Sequence, residues 1–167
     1  MQIGFVFQPE RGATDQLLAG LAQRLIERGL PVAGAVQSNT GCDPQHCDMD
    51  LQVLPDGPVV RISQNLGAAS SGCRLDAGAL EVAVMEVARR MEGARLVIIN
   101  KFGKHESEGR GFRQLLAEAA GAGIPVLIGI NTMNRQAFFD FAGDLAQEVP
   151  VDGAEDWVLA AMAEGAE

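Results

Sequence analysis

The chain has 167 residues, of which 47% are apolar and 21% charged, so we expect one domain with a substantial core. Its 22 acidic and 13 basic residues give a formal net charge of −9, which argues against nucleic acid or an anionic membrane as a partner. Apolar runs such as residues 124–130 are too short to span a bilayer, and no signal peptide is visible. We therefore expect a cytoplasmic protein.

Continuous apolar runs alternate with a helical pattern in the first part of the chain. Residues 2–7 predict a strand that is buried on both faces. Apolar side chains at helical spacing then predict a helix from Thr14 to about Arg28, with Gly29 placed to end it. Residues 31–38 predict a second strand.

Residues 39–75 have a different pattern, with turn residues at short intervals. Two brief strand-like pieces, "MDLQVL" and "PVVRIS", are separated by a Pro-Asp-Gly turn, which is typical of a β-hairpin. We expect this segment to be a hairpin insertion or an edge ribbon of the main fold, within a single domain that covers residues 1–167.

The second half returns to alternating helices and strands. Asp76 is placed to cap a helix, and the very apolar run 94–99 predicts a central strand. The remaining predicted elements are a helix from about Phe112, a strand within 121–131, a helix over 134–143, an edge strand at 146–151 and a helix over 153–164 that holds Trp157.

This alternation indicates βαβ units, and hence the α/β class. We expect a three-layer arrangement in which a mostly parallel sheet has helices on both faces. In such sheets, ligands bind outside the carboxyl ends of the strands. The loops at 7–14, 38–48, 100–110 and 131–135 are therefore the candidate sites.

The first of these loops, "FQPERGAT", joins a predicted strand to a predicted helix. Phosphate-binding loops read Gly, four residues, Gly-Lys-Ser/Thr, because glycines let backbone N–H groups approach the phosphates while the lysine neutralises charge. Here Phe7 stands at the first glycine position, Gly12 and Thr14 match, and Ala13 replaces the lysine. Taken alone, this match is weak, and a turn with an N-cap threonine is the better explanation of it.

The segment "NKFGKHESEGRGFR" (100–113) contains both lysines of the chain, directly after the predicted central strand. Arg110 and Arg113 lie near the start of the next helix, where cations are unfavourable unless an anion is close. One interpretation is a solvated loop in which Glu106 and Glu108 pair with the basic residues. We favour an anion site, because Arg11, Arg74 and Arg135 also follow predicted strands, so that seven basic residues are expected along one edge of the sheet.

The glycines of this segment suggest a loop that approaches a ligand or moves. His105 lies among them, as an acid, a base or simply an exposed side chain. The ligand-binding residues that we predict are Arg11, Gly12, Thr14, Asn100, Lys101, Gly103, Lys104, Arg110 and Arg113.

A separate cluster could hold a soft metal ion. Cys42, His46 and Cys47 are close in sequence, and Cys73 is more distant. Structural zinc sites usually show two well-spaced pairs of ligands, which are absent here. The alternative is a set of free thiols, one of them redox-sensitive.

Several stretches together resemble one bacterial family. They are "GFVFQPERGATDQLLAGLAQRL", "DMDLQVL", "SGCRLDAGAL" and "VIINKFGKHESEGRGFRQLLAEA". The family is of unknown function, and its members often sit beside molybdate-transport genes. It is related to small P-loop nucleoside-triphosphatases of the cancer-related type. The resemblance covers all but about the last 15 residues.

The resemblance implies a shared scaffold with altered Walker motifs. After the central strand, Gly103, Lys104 and Glu106 match the nucleotidase pattern, whereas Asn100 and Lys101 stand where that pattern has two acids. In the first loop, Gly12 and Thr14 match, and the lysine position is occupied by alanine. The residues that hold magnesium and phosphate are thus largely replaced.

Three functions are compatible with these features. The leading hypothesis is a protein that binds an anion, such as a nucleotide, a phosphorylated metabolite, phosphate or molybdate, for regulation or delivery in molybdenum metabolism. The second is a divergent nucleoside-triphosphatase or phosphotransfer enzyme that uses a nucleotide with Mg²⁺. In it, Lys101 or Lys104 replaces the missing lysine, Glu106 positions water or metal, and Thr14 contacts Mg²⁺. The third is a Cys/His metal or redox protein. Whether the chain forms a homo-oligomer stays open.

Overall fold

The computed structural model describes residues 2–40, 48–64 and 74–166. Most of the strands form one seven-stranded sheet, and two very short strands form a separate ribbon. The strands are β1 (Ile3–Val6), β2 (Val32–Thr40), β3 (Asp48–Leu54), β4 (Val59–Arg61), β5 (Ser63–Gln64), β6 (Arg74–Leu75), β7 (Leu96–Phe102), β8 (Val126–Ile130) and β9 (Ala146–Glu148).

Helices occupy most of the connections between the parallel strands. They are α1 (Ala13–Glu27), α2 (Ala77–Ala88), α3 (Lys104–Ser107), α4 (Arg113–Gly121), α5 (Arg135–Ala142) and α6 (Ala154–Glu164), with 3₁₀ turns at Gly143–Leu145 and Val151–Gly153. Asp76 caps α2 as predicted, because its side-chain oxygen accepts a hydrogen bond of 3.0 Å from the N–H of Ala79. No helix in the described ranges has both the length and the apolar character that a membrane crossing needs.

The strand order in the large sheet is β4-β3-β2-β7-β8-β1-β9. The five strands from β2 to β9 in this order pair in parallel, whereas β3 and β4 are antiparallel to their neighbours. The prediction of a mostly parallel α/β sheet is therefore confirmed, with β7 at its centre. The hairpin of β3 and β4 extends this sheet as an edge ribbon.

Two apolar cores cover the two faces of the sheet. On one face, the apolar side chains of α1 and α6, including Leu18, Leu21 and Val158, pack on the strands. On the other face, α2, α4 and α5 pack around a group of phenylalanines that includes Phe5, Phe102 and Phe138. Strands buried on both faces explain why β1, β7 and β8 read as continuous apolar runs in the sequence.

Candidate functional site

The first loop (residues 7–12) connects the end of β1 to the start of α1. The Ala13 N–H donates to the Glu10 carbonyl at 3.1 Å, and the Gln16 N–H donates to the Gly12 carbonyl at 3.1 Å. Gly12 has φ of +79°, a left-handed conformation that glycine adopts at little cost. This turn directs the amino end of α1, with its partial positive charge, towards the carboxyl ends of the strands.

The start of α1 lies very close to the ends of β7 and β8. A Cβ atom at Gly129 would come within 2.3 Å of the Asn100 carbonyl oxygen and 2.9 Å of Thr14 Cγ2. Any side chain at position 129 would therefore push these segments apart. Gly129 lets Thr14 and the backbone of Asn100 meet at the floor of the site.

The ladder between β7 and β8 contains a bulge at this point. Ile99 pairs with Ile128 and Phe102 pairs with Ile130, so that Asn100 and Lys101 together face Gly129. A bulge of this kind redirects side chains and is common beside functional sites. Asn100 is buried while the next residue, Lys101, is exposed.

Asn100 joins β2, β7 and α1 through its side chain. Its Oδ1 accepts a hydrogen bond of 3.0 Å from the Gln37 N–H, and its Nδ2 donates to Asp15 Oδ1 at 2.9 Å. A second, longer contact of 3.4 Å runs from Nδ2 to Gln37 Oε1. The amide is thus a structural link, and it fixes the position of Asp15 in the first turn of α1.

These segments surround a cavity of about 430 Å³, which we call the polar cavity. Its lining comes from residues 7–12, 14, 15, 37, 100, 101 and 129–132. Two cations, Arg11 and Lys101, line it together with Gly12 and Thr14. It lies outside the carboxyl ends of four parallel-sheet strands, where ligands bind in this class of fold.

A second cavity, of about 280 Å³, borders the polar cavity along Gln37, Asn100 and Lys101. We call it the apolar cavity, because β3, α2 and neighbouring segments contribute six apolar side chains to it: Met49, Leu51, Ile62, Leu75, Leu80 and Phe112. Gly103, Lys104, His105 and Glu106 complete its lining. The sequence did not predict this cavity, since its apolar side chains look like ordinary core residues.

The charged loop (residues 103–112) is organised around the buried side chain of Glu106. One carboxylate oxygen accepts the Gly103 N–H at 2.9 Å, and the other accepts the Phe112 N–H at 3.0 Å. A Cβ atom at Gly111 would lie 1.8 Å from Glu106 Oε2, so this position, with φ of +62°, requires glycine. Glu106 therefore holds both ends of the loop together.

A further carboxylate serves the start of α4. The Gly111 N–H donates to Glu81 Oε1, on α2, at 2.9 Å. The backbone donors at 111 and 112 are thus satisfied by the chain's own glutamates.

The cations of the charged loop also find internal partners. Arg110 Nη2 donates to Glu108 Oε2, and Lys104 Nζ lies 4.0 Å from Glu108 Oε1 with 82% of its side chain exposed. The hydrogen bond from Arg110 lowers the pKa of Glu108, and the charges of Arg110, Lys104 and His105 lower it further. This part of the loop matches the interpretation of a solvated, salt-bridged surface.

Two further arginines lie over aromatic rings. Arg113 donates to the Glu106 carbonyl at 3.2 Å and stacks 5.0 Å from the ring centre of Phe141. Arg135 stacks over Phe5 and Phe139 at 5.7 and 5.3 Å. Both contacts are of cation–π geometry and anchor α4 and α5 at the phenylalanine core.

The predicted edge of seven cations is therefore divided by the structure. Arg11, Gly12, Thr14, Asn100 and Lys101 come together at the polar cavity. Gly103 and Lys104 line the neighbouring apolar cavity. Arg110 and Arg113 line neither cavity: Arg110 donates to Glu108, and Arg113 lies over the ring of Phe141. Their assignment as ligand-binding residues stays a prediction.

The predicted Cys/His metal site lies outside the described residues. Cys42, His46, Cys47 and Cys73 all fall in the ranges 41–47 and 65–73, and the side chain of Arg74 is likewise not described. Within the described ranges, no group of three or more His, Cys, Asp or Glu side chains is arranged to hold a metal ion.

The residues at the end of β7 and the carboxylate of Glu106 do not fit a Mg²⁺ ion. The strand-end position offers Asn100, whose oxygen already accepts from Gln37 and whose nitrogen donates to Asp15. The next side chain is Lys101, a cation. Glu106, the predicted candidate for positioning metal or water, directs both oxygens to backbone N–H groups.

Comparison with known proteins agrees with this fold. The chain is 39% identical over 134 residues to the molybdenum import ATP-binding protein ModC 2 of Bradyrhizobium diazoefficiens, covering 78% of this chain but only 15% of that protein. The solution structure of a human cancer-related nucleoside triphosphatase superposes with a TM-score of 0.59 at 15% identity, covering 98% of this chain and 96% of that one. This likeness shows a P-loop nucleoside-triphosphatase fold.

A family model described as "Protein of unknown function (DUF2478)" matches residues 3–157, which is nearly the whole chain. The fold and the bulged strand end at Asn100–Lys101 are thus features of a member of this family. The chain belongs to the DUF2478 family.

Proposed function

We propose that this protein binds a phosphate-bearing or related oxyanionic ligand, of the nucleotide type, in the polar cavity. The observation that carries the proposal is the convergence of Arg11, Lys101 and the amino end of α1 on one cavity of about 430 Å³. Helix amino ends and cationic side chains are the usual partners of phosphate groups in proteins.

The two cations of the polar cavity are matched in number by carboxylates. Its lining also includes the acidic residues Glu10 and Asp15. Asp15 is engaged by the Asn100 amide, which donates to its Oδ1 at 2.9 Å. Lys101 is exposed and lies across Gly103, where an added Cβ atom would come within 3.0 Å of its Cε. Gly103 lines the apolar cavity, so the Lys101 stem lies at the boundary between the two cavities.

One wall atom of the polar cavity also suits a polar ligand. Gln8 Oε1 is buried and has no hydrogen-bond partner in the part of the chain that the structure describes. A buried acceptor without a donor costs about 1–3 kcal/mol, so a ligand hydroxyl or N–H group in this place would recover that energy.

The proposed activity is binding without hydrolysis. Phosphoryl transfer to water needs a metal ion held by carboxylates and a group that orients the water. Asn100 and Lys101 stand at the strand end, and Glu106 is bound to backbone N–H groups. The ammonium group of Lys101 is always present, and it would supply part of the positive charge that a metal ion supplies in hydrolases.

The likeness to a molybdenum import ATP-binding protein makes molybdate a second oxyanion to test. A tetrahedral dianion has the same needs as phosphate, namely N–H donors and cationic side chains. In this proposal the protein senses or delivers its ligand in molybdenum metabolism.

The test is isothermal titration of the protein with pyrophosphate, phosphate, molybdate and sulfate. We expect Lys101→Met to weaken pyrophosphate binding at least about tenfold, or about 1.4 kcal/mol. Arg11→Gln should have a similar effect. Arg110→Gln is the matched control, because Arg110 pairs with Glu108 and does not line the cavity.

Two results would contradict the proposal. One is the absence of binding to every anion in the panel. The other is an equal loss of affinity in Arg11→Gln and Arg110→Gln, which would indicate attraction by the general surface charge. A parallel assay of phosphate release from nucleoside triphosphates with Mg²⁺ should give no turnover above the level of the protein-free control.

A further inference from the structure

We propose that the apolar cavity is a second subsite, which holds the heterocyclic ring of a nucleotide whose phosphates lie in the polar cavity. The inference rests on the proposed function, which concerns the phosphates, and adds a binding place for the ring of the same ligand. It follows from three observations: the shared wall between the cavities, the apolar lining of one of them, and the polar groups at their boundary.

The shared wall places the two cavities side by side at the same sheet edge. Gln37 at β2, and Asn100 and Lys101 at the end of β7, line both cavities. Because β2 and β7 are neighbouring strands, Gln37 and Asn100 are in direct contact, and the Gln37 N–H donates to Asn100 Oδ1 at 3.0 Å. One small molecule can therefore contact both cavities across this wall.

The lining of the apolar cavity suits a flat, uncharged group. Leu51, Leu80 and Phe112 are almost completely buried, yet they border a cavity of about 280 Å³. Met49, from β3, is half-buried, and its flexible thioether adapts to the shape of a ring. Small-molecule sites combine such apolar walls with a few polar groups and have volumes of about 300–1,000 Å³. The polar cavity, of about 430 Å³, already lies within this range without the apolar cavity.

Polar groups at the boundary can orient the ring. The Gln37 side chain lies at this boundary, where its Oε1 is 3.4 Å from Asn100 Nδ2. His105, which is half-buried, lines the cavity on the side of α3. Ring nitrogens and exocyclic groups of a nucleobase match such donors and acceptors, whereas a plain hydrocarbon chain has no use for them.

The experiment compares ligands with and without a ring. Adenosine, guanosine, cytidine and uridine 5′-diphosphates are titrated beside pyrophosphate, which has the same two phosphates and no ring. We expect at least one nucleotide to bind at least about tenfold more tightly than pyrophosphate.

Variants that fill the apolar cavity then locate the ring. Met49→Trp should remove the gain from the ring while leaving pyrophosphate affinity unchanged, and Leu80→Phe should reduce that gain as a second filling variant. Met85→Trp is the matched control, because Met85 is 53% exposed on α2 and does not line either cavity. It should retain both affinities. Circular dichroism and thermal unfolding identify any filling variant that does not fold. If one of the two fails to fold, the affinities of the other test where the ring binds.

The outcomes separate this inference from the proposed function. If pyrophosphate binds and no nucleotide binds more tightly, the second subsite is refuted and the proposed function stands. If the gain from the ring survives in the folded filling variants, the ring lies elsewhere and the inference is again refuted. If neither pyrophosphate nor any nucleotide binds, the proposed function itself fails, and the inference fails with it.

Discussion

The loop between β1 and α1 and the loop between β7 and α4 leave the same edge of the sheet, and each leads into a helix. In the charged loop, the N–H groups at 111 and 112 bind the carboxylates of Glu81 and Glu106. In the first loop, α1 begins at Ala13, the preceding Gly12 has no side chain to cap it, and the helix start faces the polar cavity. One helix start is closed by the chain's own acids, whereas the other faces a cavity.

The difference shows that the density of charge in a sequence does not by itself identify an anion site. The charged loop has more cations than the first loop, but Arg110 and Arg113 are held by Glu108 and Phe141. Asn100 and Lys101, which contribute to the polar cavity, belong to β7 and precede the charged loop. Four experiments can sharpen or refute this contrast.

The largest effect is expected from Glu106→Gln in the charged loop. An amide keeps one acceptor oxygen and places an NH₂ group against a backbone N–H. We expect the free energy of unfolding to fall by about 2–3 kcal/mol, as for loss of a hydrogen bond to a buried charged group. Chemical denaturation measures this change. Glu108→Gln, on the exposed part of the same loop, should leave the denaturation midpoint in place, and equal losses in the two variants would contradict the assigned roles.

A second variant, Gly129→Ala, acts on the other region. The added methyl group would lie 2.3 Å from the Asn100 carbonyl oxygen, so the floor of the polar cavity must shift. We expect a loss of about 1–3 kcal/mol in stability and a weaker affinity for pyrophosphate. Gly121→Ala is the control, since a Cβ there meets no atom within 4 Å. Unchanged pyrophosphate affinity in Gly129→Ala would argue against ligand binding at this floor.

The third experiment follows Glu108 by NMR titration of its carboxyl carbon. The pKa of Glu108 is lowered in the folded protein, chiefly by the hydrogen bond from Arg110. Its stabilising contribution is therefore present above the ordinary glutamate pKa and is lost as the pH falls through the lowered value. In Arg110→Ala the pKa should return towards the ordinary value. An unchanged pKa in that variant would mean that Arg110 is not its main partner.

The smallest effect is expected from removal of metal ions. Because Lys101 and Arg11 supply the cationic charge, EDTA in place of Mg²⁺ should change the pyrophosphate affinity by less than about threefold. Titration calorimetry in the two buffers measures this. A loss of binding in EDTA would show that a metal ion takes part, and would place the polar cavity closer to the hydrolases of the same fold.

The sequence was informative about the scaffold because buried parallel strands and amphipathic helices have distinct periodicities. The strands at 2–7, 31–38 and 94–99, and the cap at Asp76, were predicted close to their observed positions. The edge strand β9 was also expected, although its bounds are shorter than predicted. These features depend on local pattern, which a single sequence displays.

The site was less accessible to prediction, because it depends on contacts between distant residues. The link from Asn100 to Asp15 joins positions 85 residues apart, and no local pattern signals it. The partner of the Gly111 N–H, Glu81, looked like an ordinary surface residue of α2. One signal was present in the sequence: Glu106 lies between glycines 103 and 111, and a carboxylate close to several glycines can bind the backbone donors that glycine leaves accessible.

The bulge at Asn100–Lys101 affects how this chain should be compared with its relatives. Two residues of β7 lie opposite a single residue of β8. A sequence alignment without a gap at this point can therefore match side chains that point in different directions. Removing one residue here would restore a regular ladder and turn every later side chain of the strand to the opposite face. Evolutionary trees and transferred motif assignments for the family therefore depend on whether each homologue carries the extra residue.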